Sequence, residues 1–125
     1  MKITEIAFVG YPVTDMNRAR KFYEGVLGLI TSRTFGGKPD APQWVEYDIG
    51  GGCLSLIGGG GDQWPPANAG PGAAFEVDDF DGFIAKLKSA HVKFFWEPQD
   101  SPMCTMAVVL DPDENRIVIH HRKKK

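Results

Sequence analysis

Three side chains of this 125-residue sequence can do acid–base chemistry from predicted strands: Glu46, Glu76 and His120. A carboxylate in partly apolar surroundings has a raised pKa and can then exchange a proton near neutral pH. An imidazole does so at its ordinary pKa. These three are therefore the candidate catalytic residues. The alternative for the two glutamates is that they form ion pairs with Arg116 near solvent. The alternative for His120 is that it lies at the rim of a site or on the surface.

Other patterns that carry chemistry are missing from the sequence. Cys53 and Cys104 lack a C-x-x-C spacing, which favours two reduced, core-like thiols in a cytoplasmic protein. The glycine run 58–61 is followed by neither a Lys-Ser/Thr pair nor a helix start, so it does not predict a phosphate-binding loop. His120 and His121 are adjacent in a predicted strand and face opposite sides, so they do not enter one site together.

The composition is that of a soluble globular protein, with 42% hydrophobic and 24% charged residues. The formal net charge of −2 predicts no general attraction to nucleic acid or to a membrane surface, and the basic run 120–125 is interpreted as a solvated tail. No apolar run approaches the roughly 20 residues of a membrane span. The N-terminus enters a strand without a signal-peptide cleavage site. A cytoplasmic protein is expected.

The elements that must position the candidate residues form a pattern that occurs twice. The first half predicts one helix, capped by Asp15, among four strands: a strand at 3–13, the helix at 15–27, and strands at 29–35, 43–49 and 53–57. The second half predicts the same order, with Asp79 as the cap: a strand at 73–77, a helix at 80–90, and strands at 92–96, 105–110 and 116–121. A Gly/Pro-rich linker at 58–72 joins them.

This repeat predicts an α+β fold of two βαβββ modules, 1–58 and 72–122, in a single domain 1–125. Each module forms a curved mixed sheet whose helix covers one face and leaves the other bare. Two modules can bury their bare faces against each other, and a cleft between the sheets is then the expected ligand site.

The order βαβββ–βαβββ, with FYEGVLGL in the first helix and DPDENRIVI in the last hairpin, resembles the vicinal oxygen chelate superfamily. That superfamily includes glyoxalase I, extradiol dioxygenases, fosfomycin-modifying enzymes and bleomycin resistance proteins. The resemblance covers essentially the whole chain and implies a glyoxalase-like fold, a small-molecule ligand and often a homodimer. It leaves open whether the two modules pair within one chain or are swapped between two chains.

The resemblance also implies a divalent metal bound by His, Gln or Glu at four positions. In this sequence those positions hold residues of other types, namely Phe8, Ser55, Gly72 and Val118. Phe, Gly and Val side chains supply no oxygen or nitrogen ligand. The sequence therefore predicts no metal and no other cofactor. A displaced metal site built from other residues is the alternative.

Strand alternation assigns further residues to the expected cleft. Phe8 and Trp44 are expected to stack a flat ligand, and Trp64 and Trp96 to close the mouth. The seventh strand is expected to turn Thr105, Ala107 and Val109 toward the cleft. The predicted ligand-binding residues are Phe8, Trp44, Glu46, Ser55, Gly72, Glu76, Trp96, Arg116, Val118 and His120. The alternative is that Phe8 and Val118 only fill the cavity.

The functional prediction is a binding protein of the bleomycin-resistance type that lacks the usual metal ligands. Its ligand is expected to be a small, partly aromatic or polar organic molecule. One alternative is an enzyme of the glyoxalase, lyase, dioxygenase or isomerase type, with a displaced metal or a metal-free acid–base site. The other is a non-catalytic dimeric interaction module.

Overall fold

The structure, a computed structural model, describes residues 2, 4, 6–36, 43–59, 72–102 and 104–123. The chain divides into two compact units, Met1–Pro66 and Ala67–Lys125. Each unit contains a four-stranded mixed sheet and a helix, so the predicted α+β fold is confirmed. Trp64 and most of the predicted linker lie outside the described residues.

The N-terminal unit has the sheet order β1-β4-β3-β2, in which β1 is parallel to β4 and the other neighbours are antiparallel. Its strands are β1 (Val9–Val13), β2 (Arg33–Phe35), β3 (Gln43–Ile49) and β4 (Gly52–Gly58). Between β1 and β2, a short α-helix α1 (Met16–Arg20) continues directly as a π-helical segment (Lys21–Val26).

The helix of this unit begins at Asp15, whose carboxylate accepts a hydrogen bond from the Arg18 N–H at 3.1 Å, as an N-cap does. Near its end the Leu27 N–H donates to the Phe22 carbonyl at 3.0 Å, five residues back. This spacing defines the π-helical pattern. Gly28 follows with φ of 79°. The sequence predicted one regular helix over 15–27, and the π-helical segment departs from that prediction because a helical apolar face does not distinguish the two forms.

The C-terminal unit repeats this topology with the sheet order β5-β8-β7-β6, and β5 is parallel to β8. Its elements are β5 (Ala74–Glu76), α2 (Phe80–Ser89), β6 (Phe94–Asp100), β7 (Cys104–Leu110) and β8 (Arg116–Arg122). Asp79 begins α2 by accepting a hydrogen bond from the Gly82 N–H at 3.0 Å. The two predicted caps, Asp15 and Asp79, are therefore both confirmed.

Strand β6 differs from its prediction, which ended the strand at 96 and placed a loop at 97–102. The strand runs on to Asp100 and includes Pro98. It lies at the edge of its sheet, where a proline costs no ladder hydrogen bond. Two register shifts against β7 interrupt it, one between Phe94 and Trp96 and one between Trp96 and Gln99.

The side-chain orientation predicted for β7 is wrong, because Thr105, Ala107 and Val109 do not share the side of Val118. Ala107 lies opposite Ile119 and Val109 opposite Ile117, and all four side chains are fully buried. Val108 instead lies opposite Val118. The tight turn between β7 and β8 fixes this register, because the buried Asp111 carboxylate accepts from the backbone N–H groups of Asp113 and Asn115. Counting along one strand could not show that register.

Candidate functional site

One face of the N-terminal sheet combines aromatic and charged side chains; we call the residues Phe8, Arg33, Phe35, Trp44, Glu46, Asp48 and Ser55 the Trp44 face. Strand pairing brings them together, because Glu46 lies opposite Ser55 on one side and Arg33 on the other. Trp44 likewise lies opposite Phe35. The sequence predicted that Trp44, Glu46 and Ser55 share one side of the sheet. It assigned no side chain of the second strand to that side, so it missed Arg33 and Phe35.

Phe8 and Trp44 form the aromatic part of this face. Their ring centres lie 5.3 Å apart at an interplanar angle of 77°, an edge-to-face contact. Gly10 makes room for it, since a Cβ at that position would lie 2.9 Å from the Ile57 side chain and 3.5 Å from the Phe8 ring. Phe8 is 40% exposed, so the aromatic pair still presents apolar surface to solvent.

The charges on the Trp44 face are held by a short hydrogen-bonded chain. Arg33 donates to Glu46 at 2.7 Å and to both Asp48 oxygens at 3.0 and 2.6 Å. The Trp44 indole N–H donates to the other Glu46 oxygen at 2.9 Å. One guanidinium shared by two carboxylates leaves this group with one net negative charge.

The pKa of Glu46 is lowered by the hydrogen bonds from Arg33 and then from Trp44. The same guanidinium lowers the pKa of Asp48. The expectation of a raised pKa at Glu46 is therefore wrong, because the sequence did not reveal the donors beside it. Glu46 is a fixed negative charge at neutral pH.

The residues at the family's four metal-ligand positions do not fit a divalent ion. The Phe8 ring packs on Trp44, and Gly72 has no side chain. Val118 lies between Ala74 and Val108 in the C-terminal sheet. Ser55 is fully buried, with its Oγ 4.0 Å from the Cys53 sulfur. Within the part of the chain that the structure describes, no three His, Cys, Asp or Glu side chains form a group that could hold a metal ion.

The corresponding face of the C-terminal sheet carries a second set of predicted residues; we call Glu76, Trp96, Val108, Arg116, Val118 and His120, with Phe95, the Arg116 face. His120 Nδ1 lies 2.6 Å from one Glu76 oxygen, and the backbone N–H of Arg122 donates to the other at 2.7 Å. The pKa of Glu76 is lowered, first by the Arg122 N–H and then by His120. The expectation of a raised pKa is wrong here too.

Arg116 contacts an aromatic pair that the sequence predicted only in part. Its guanidinium carbon lies 3.8 Å from the centre of the Phe95 ring. The rings of Phe95 and Trp96 lie 6.4 Å apart and 18° from parallel. Trp96 and Arg116 were among the predicted residues, whereas Phe95 was missed because simple alternation sends adjacent strand residues to opposite faces.

A third polar group, formed by Arg20, Glu24, Thr31 and Tyr47, joins the first helix to the sheet in the N-terminal unit. The Tyr47 hydroxyl and the Thr31 hydroxyl each donate to Glu24 at 2.9 Å, and Arg20 donates to it at 2.6 Å. Burial and the adjacent Glu24 raise the pKa of Tyr47. Burial alone would raise the pKa of Glu24, but the three donors together lower it. This group is structural rather than part of either face.

The chain belongs to the Glyoxalase/Bleomycin resistance protein/Dioxygenase superfamily, whose sequence profile matches residues 5–119. Both the resemblance in the sequence and the glyoxalase-like fold are thereby confirmed. In the part of the chain that the structure describes, we find no helix with the length and apolar character of a membrane span. A search among curated proteins finds no significant match.

Several solved structures are similar over nearly the whole chain. TnmS3, an antibiotic-binding protein from Streptomyces sp. CB03234, is 26% identical, with 98% of this chain and 99% of that chain covered and a TM-score of 0.76. The fosfomycin resistance protein FosX from Listeria monocytogenes is 15% identical, with coverages of 98% and 96% and a TM-score of 0.79. The trypanothione-dependent glyoxalase I of Leishmania major is 23% identical, with coverages of 95% and 87% and a TM-score of 0.77.

Proposed function

We propose that this protein binds a small, partly aromatic organic molecule on the Trp44 face, without a metal ion. The observation that carries the proposal is the edge-to-face contact between Phe8 and Trp44. Phe8 occupies one of the family's metal-ligand positions, and Trp44 donates a hydrogen bond to Glu46. Aromatic rings supply flat apolar contact area, and a few charged groups nearby orient the ligand. The surplus negative charge of Glu46 and Asp48 over Arg33 favours a neutral or cationic ligand.

The similarity to TnmS3 supports a binding function. That relative is described as an antibiotic-binding protein, and its similarity extends over 98% of this chain. The match to FosX supports only the shared fold, because the two sequences are 15% identical. We therefore propose a binding protein of the drug-sequestering kind, in which affinity for the ligand is itself the function.

The contact between His120 and Glu76 favours a second candidate, a metal-free acid–base enzyme. A carboxylate that fixes the orientation of an imidazole is a common arrangement for a general base. In such an enzyme the His120 imidazole exchanges a proton with the ligand, and the Glu76 carboxylate orients the imidazole. A proton-transfer activity on a bound ligand that disappears in His120→Gln, while ligand binding persists, would support this candidate over simple binding.

The binding proposal is tested by ligand-observed NMR titration with 2-naphthylmethylammonium, a flat aromatic cation, and with the neutral 2-naphthylmethanol. Wild-type protein is expected to bind both. Trp44→Leu is expected to weaken binding roughly tenfold, because a ring contact and its buried area are lost. Glu46→Gln is expected to weaken binding of the cation more than that of the alcohol.

The matched control is Trp96→Leu, which removes an exposed tryptophan from the C-terminal unit and should leave binding of the cation unchanged. Absence of binding by both compounds to folded wild-type protein would refute the proposal. Equal losses in Trp44→Leu and Trp96→Leu would refute the assignment to the Trp44 face.

We also propose that the protein is cytoplasmic and that it is a homodimer, of which the family resemblance implies the second. Free Cys53 and Cys104 are compatible with a reducing compartment, and subcellular fractionation would test the location. Light scattering should give a mass of twice the 13.7 kDa chain. A mass of one chain over a wide concentration range would contradict the dimer.

A further inference from the structure

The segment that carries Arg33 onto the Trp44 face is not fixed by burial. Between Gly28 and Gly36, all of which the structure describes, no residue is buried, and Leu29 and Thr31 alone are half-buried. Strand β2 is three residues long, lies at the edge of its sheet and pairs with β3. A strand of this length contributes few ladder hydrogen bonds. The position of Arg33 therefore depends on side-chain contacts.

Thr31 ties this segment to the first helix. Its hydroxyl donates to Glu24 at 2.9 Å and accepts from the Arg20 guanidinium at 3.1 Å. The Glu24 carboxylate is itself held, because Arg20 and the Tyr47 hydroxyl donate to it at 2.6 and 2.9 Å. Hydrogen bonds to an ionised acceptor are stronger than those between neutral groups. Thr31 is thus bound to a carboxylate whose own position is fixed.

The two residues that follow Thr31 connect it to β3. The Ser32 N–H donates to the Glu46 carbonyl, and the Ser32 hydroxyl accepts from the Asp48 N–H, both at 2.8 Å. Arg33 then donates to the Glu46 and Asp48 side chains. Three consecutive residues therefore bond in turn to the helix, to the backbone of β3 and to the carboxylates of the Trp44 face.

The group around Glu24 and the Trp44 face lie on opposite sides of the N-terminal sheet. Tyr47 contacts Glu24 on the helix side, whereas its neighbours Glu46 and Asp48 point to the other side, as alternation along a strand requires. Glu24 also lies in the π-helical segment, a feature that is frequent at functional sites. The group around Glu24 is therefore connected to the Trp44 face through the backbone of residues 31–33.

From this arrangement we propose that Glu24 and Thr31 are positioning residues, which hold Arg33 against the two carboxylates of the Trp44 face. While Arg33 is in place, it offsets one of the two negative charges that a ligand meets there. If the guanidinium withdraws, both carboxylates face the ligand without it. Glu24 and Thr31 thereby set how strongly the face prefers a cation to a neutral molecule. This effect on ligands rests on the proposed function, whereas the positioning of Arg33 does not.

The positioning of Arg33 is tested without a ligand, by the hydrogen-exchange rate of its Nε–H in NMR spectra of isotope-labelled protein. In wild type the hydrogen bond to Glu46 should protect this proton. Thr31→Val keeps the shape of the side chain and removes the hydroxyl, so exchange should become roughly tenfold faster. Glu24→Gln, which removes the charge, should act in the same direction. Thr31→Ser keeps the hydroxyl and should retain the protection.

The matched control is Asp15→Ala, which destabilises the first helix by removing its N-cap but leaves the contacts of Glu24 intact. It should leave the exchange of the Arg33 Nε–H unchanged. Exchange at the wild-type rate in folded Thr31→Val would overturn the inference. An equal acceleration in Asp15→Ala would overturn it as well, because the effect would then be a general loosening of the unit.

The effect on ligands is measured as the ratio of the affinities for 2-naphthylmethylammonium and 2-naphthylmethanol. Thr31→Val should raise this ratio by roughly two- to fivefold, the range for one exposed charge pair, and Asp15→Ala should not change it. An unchanged or lower ratio in Thr31→Val, with both compounds bound, would contradict the effect on selectivity. If wild type binds neither compound, the proposed function fails, and the exchange of the Arg33 Nε–H still decides the positioning.

Discussion

At the scale of single residues, hydrogen bonds rather than burial determine the charge states of the candidate acids. Arg33 and Trp44 donate to Glu46, and the Arg122 N–H and His120 contact Glu76. Both carboxyl groups therefore have lowered pKa values. A carboxylate base that works near neutral pH needs a raised pKa, so Glu46 and Glu76 are better suited to orienting a ligand or a histidine.

Tyr47 provides a test of residue-scale energetics. Tyr47→Phe removes the hydroxyl that donates to Glu24 at 2.9 Å, and the free energy of unfolding should fall by about 1–2 kcal/mol at neutral pH. The raised pKa of Tyr47 means that its stabilisation is complete below the ordinary tyrosine pKa of about 10 and is lost as pH rises above it. Urea unfolding at neutral and strongly alkaline pH would measure both effects.

The difference in unfolding free energy between wild type and Tyr47→Phe should therefore shrink in the alkaline range. Wild type is its own control, since both proteins share every other titrating group. A variant as stable as wild type at neutral pH, or a difference that grows with pH, would contradict this account of the Tyr47–Glu24 contact.

The sequence predicted which side chains share the Trp44 face, but it did not predict the hydrogen-bond donors that set their charge states. Alternation along β3 and β4 predicts that Trp44, Glu46 and Ser55 share a face, because period two is a local property of a strand. The donors that set the charge states come from elsewhere. Arg33 reaches Glu46 only through the pairing of β2 with β3, which no local pattern specifies.

At the scale of elements, capping is the feature that local sequence predicts best. Asp15 and Asp79 each precede a helical apolar face, and each accepts the expected backbone N–H. Local sequence does not predict β-bulges or the pairing register between strands. The misjudged face of β7 and the extension of β6 through Pro98 both follow from pairing between strands. The π-helical segment buries Phe22 and Tyr23, two residues that the sequence had already placed on the apolar face of the first helix.

The cap of α2 can be tested directly. Asp79→Ala should lower the free energy of unfolding by about 1 kcal/mol, because the Gly82 N–H loses its acceptor. Asp78→Ala is the matched control, since it removes the same charge one residue earlier without removing the cap. Thermal or urea unfolding would compare the two. Equal losses in both variants would attribute the effect to charge rather than to capping.

At the scale of the whole molecule, two units share a topology but differ in chemistry. Both sheets place a parallel edge strand beside the last strand of the unit. The sequence predicted the repeated order of elements but not this pairing. At the equivalent positions, however, Phe8 has an aromatic side chain and Gly72 has no side chain. The Trp44 face has one net negative charge, whereas the charges of Glu76 and Arg116 cancel on the Arg116 face. A repeat predicts shared architecture, whereas the surface chemistry of each unit depends on its own side chains.

The central claim is that the Trp44 face binds an organic ligand without a metal ion. The most direct measurement is the affinity for 2-naphthylmethylammonium of chelator-treated protein, compared with the same protein supplemented with zinc or manganese. The account predicts dissociation constants that agree within about twofold, because Phe8, Ser55, Gly72 and Val118 supply no metal site. Binding that appears only when metal is added would contradict it.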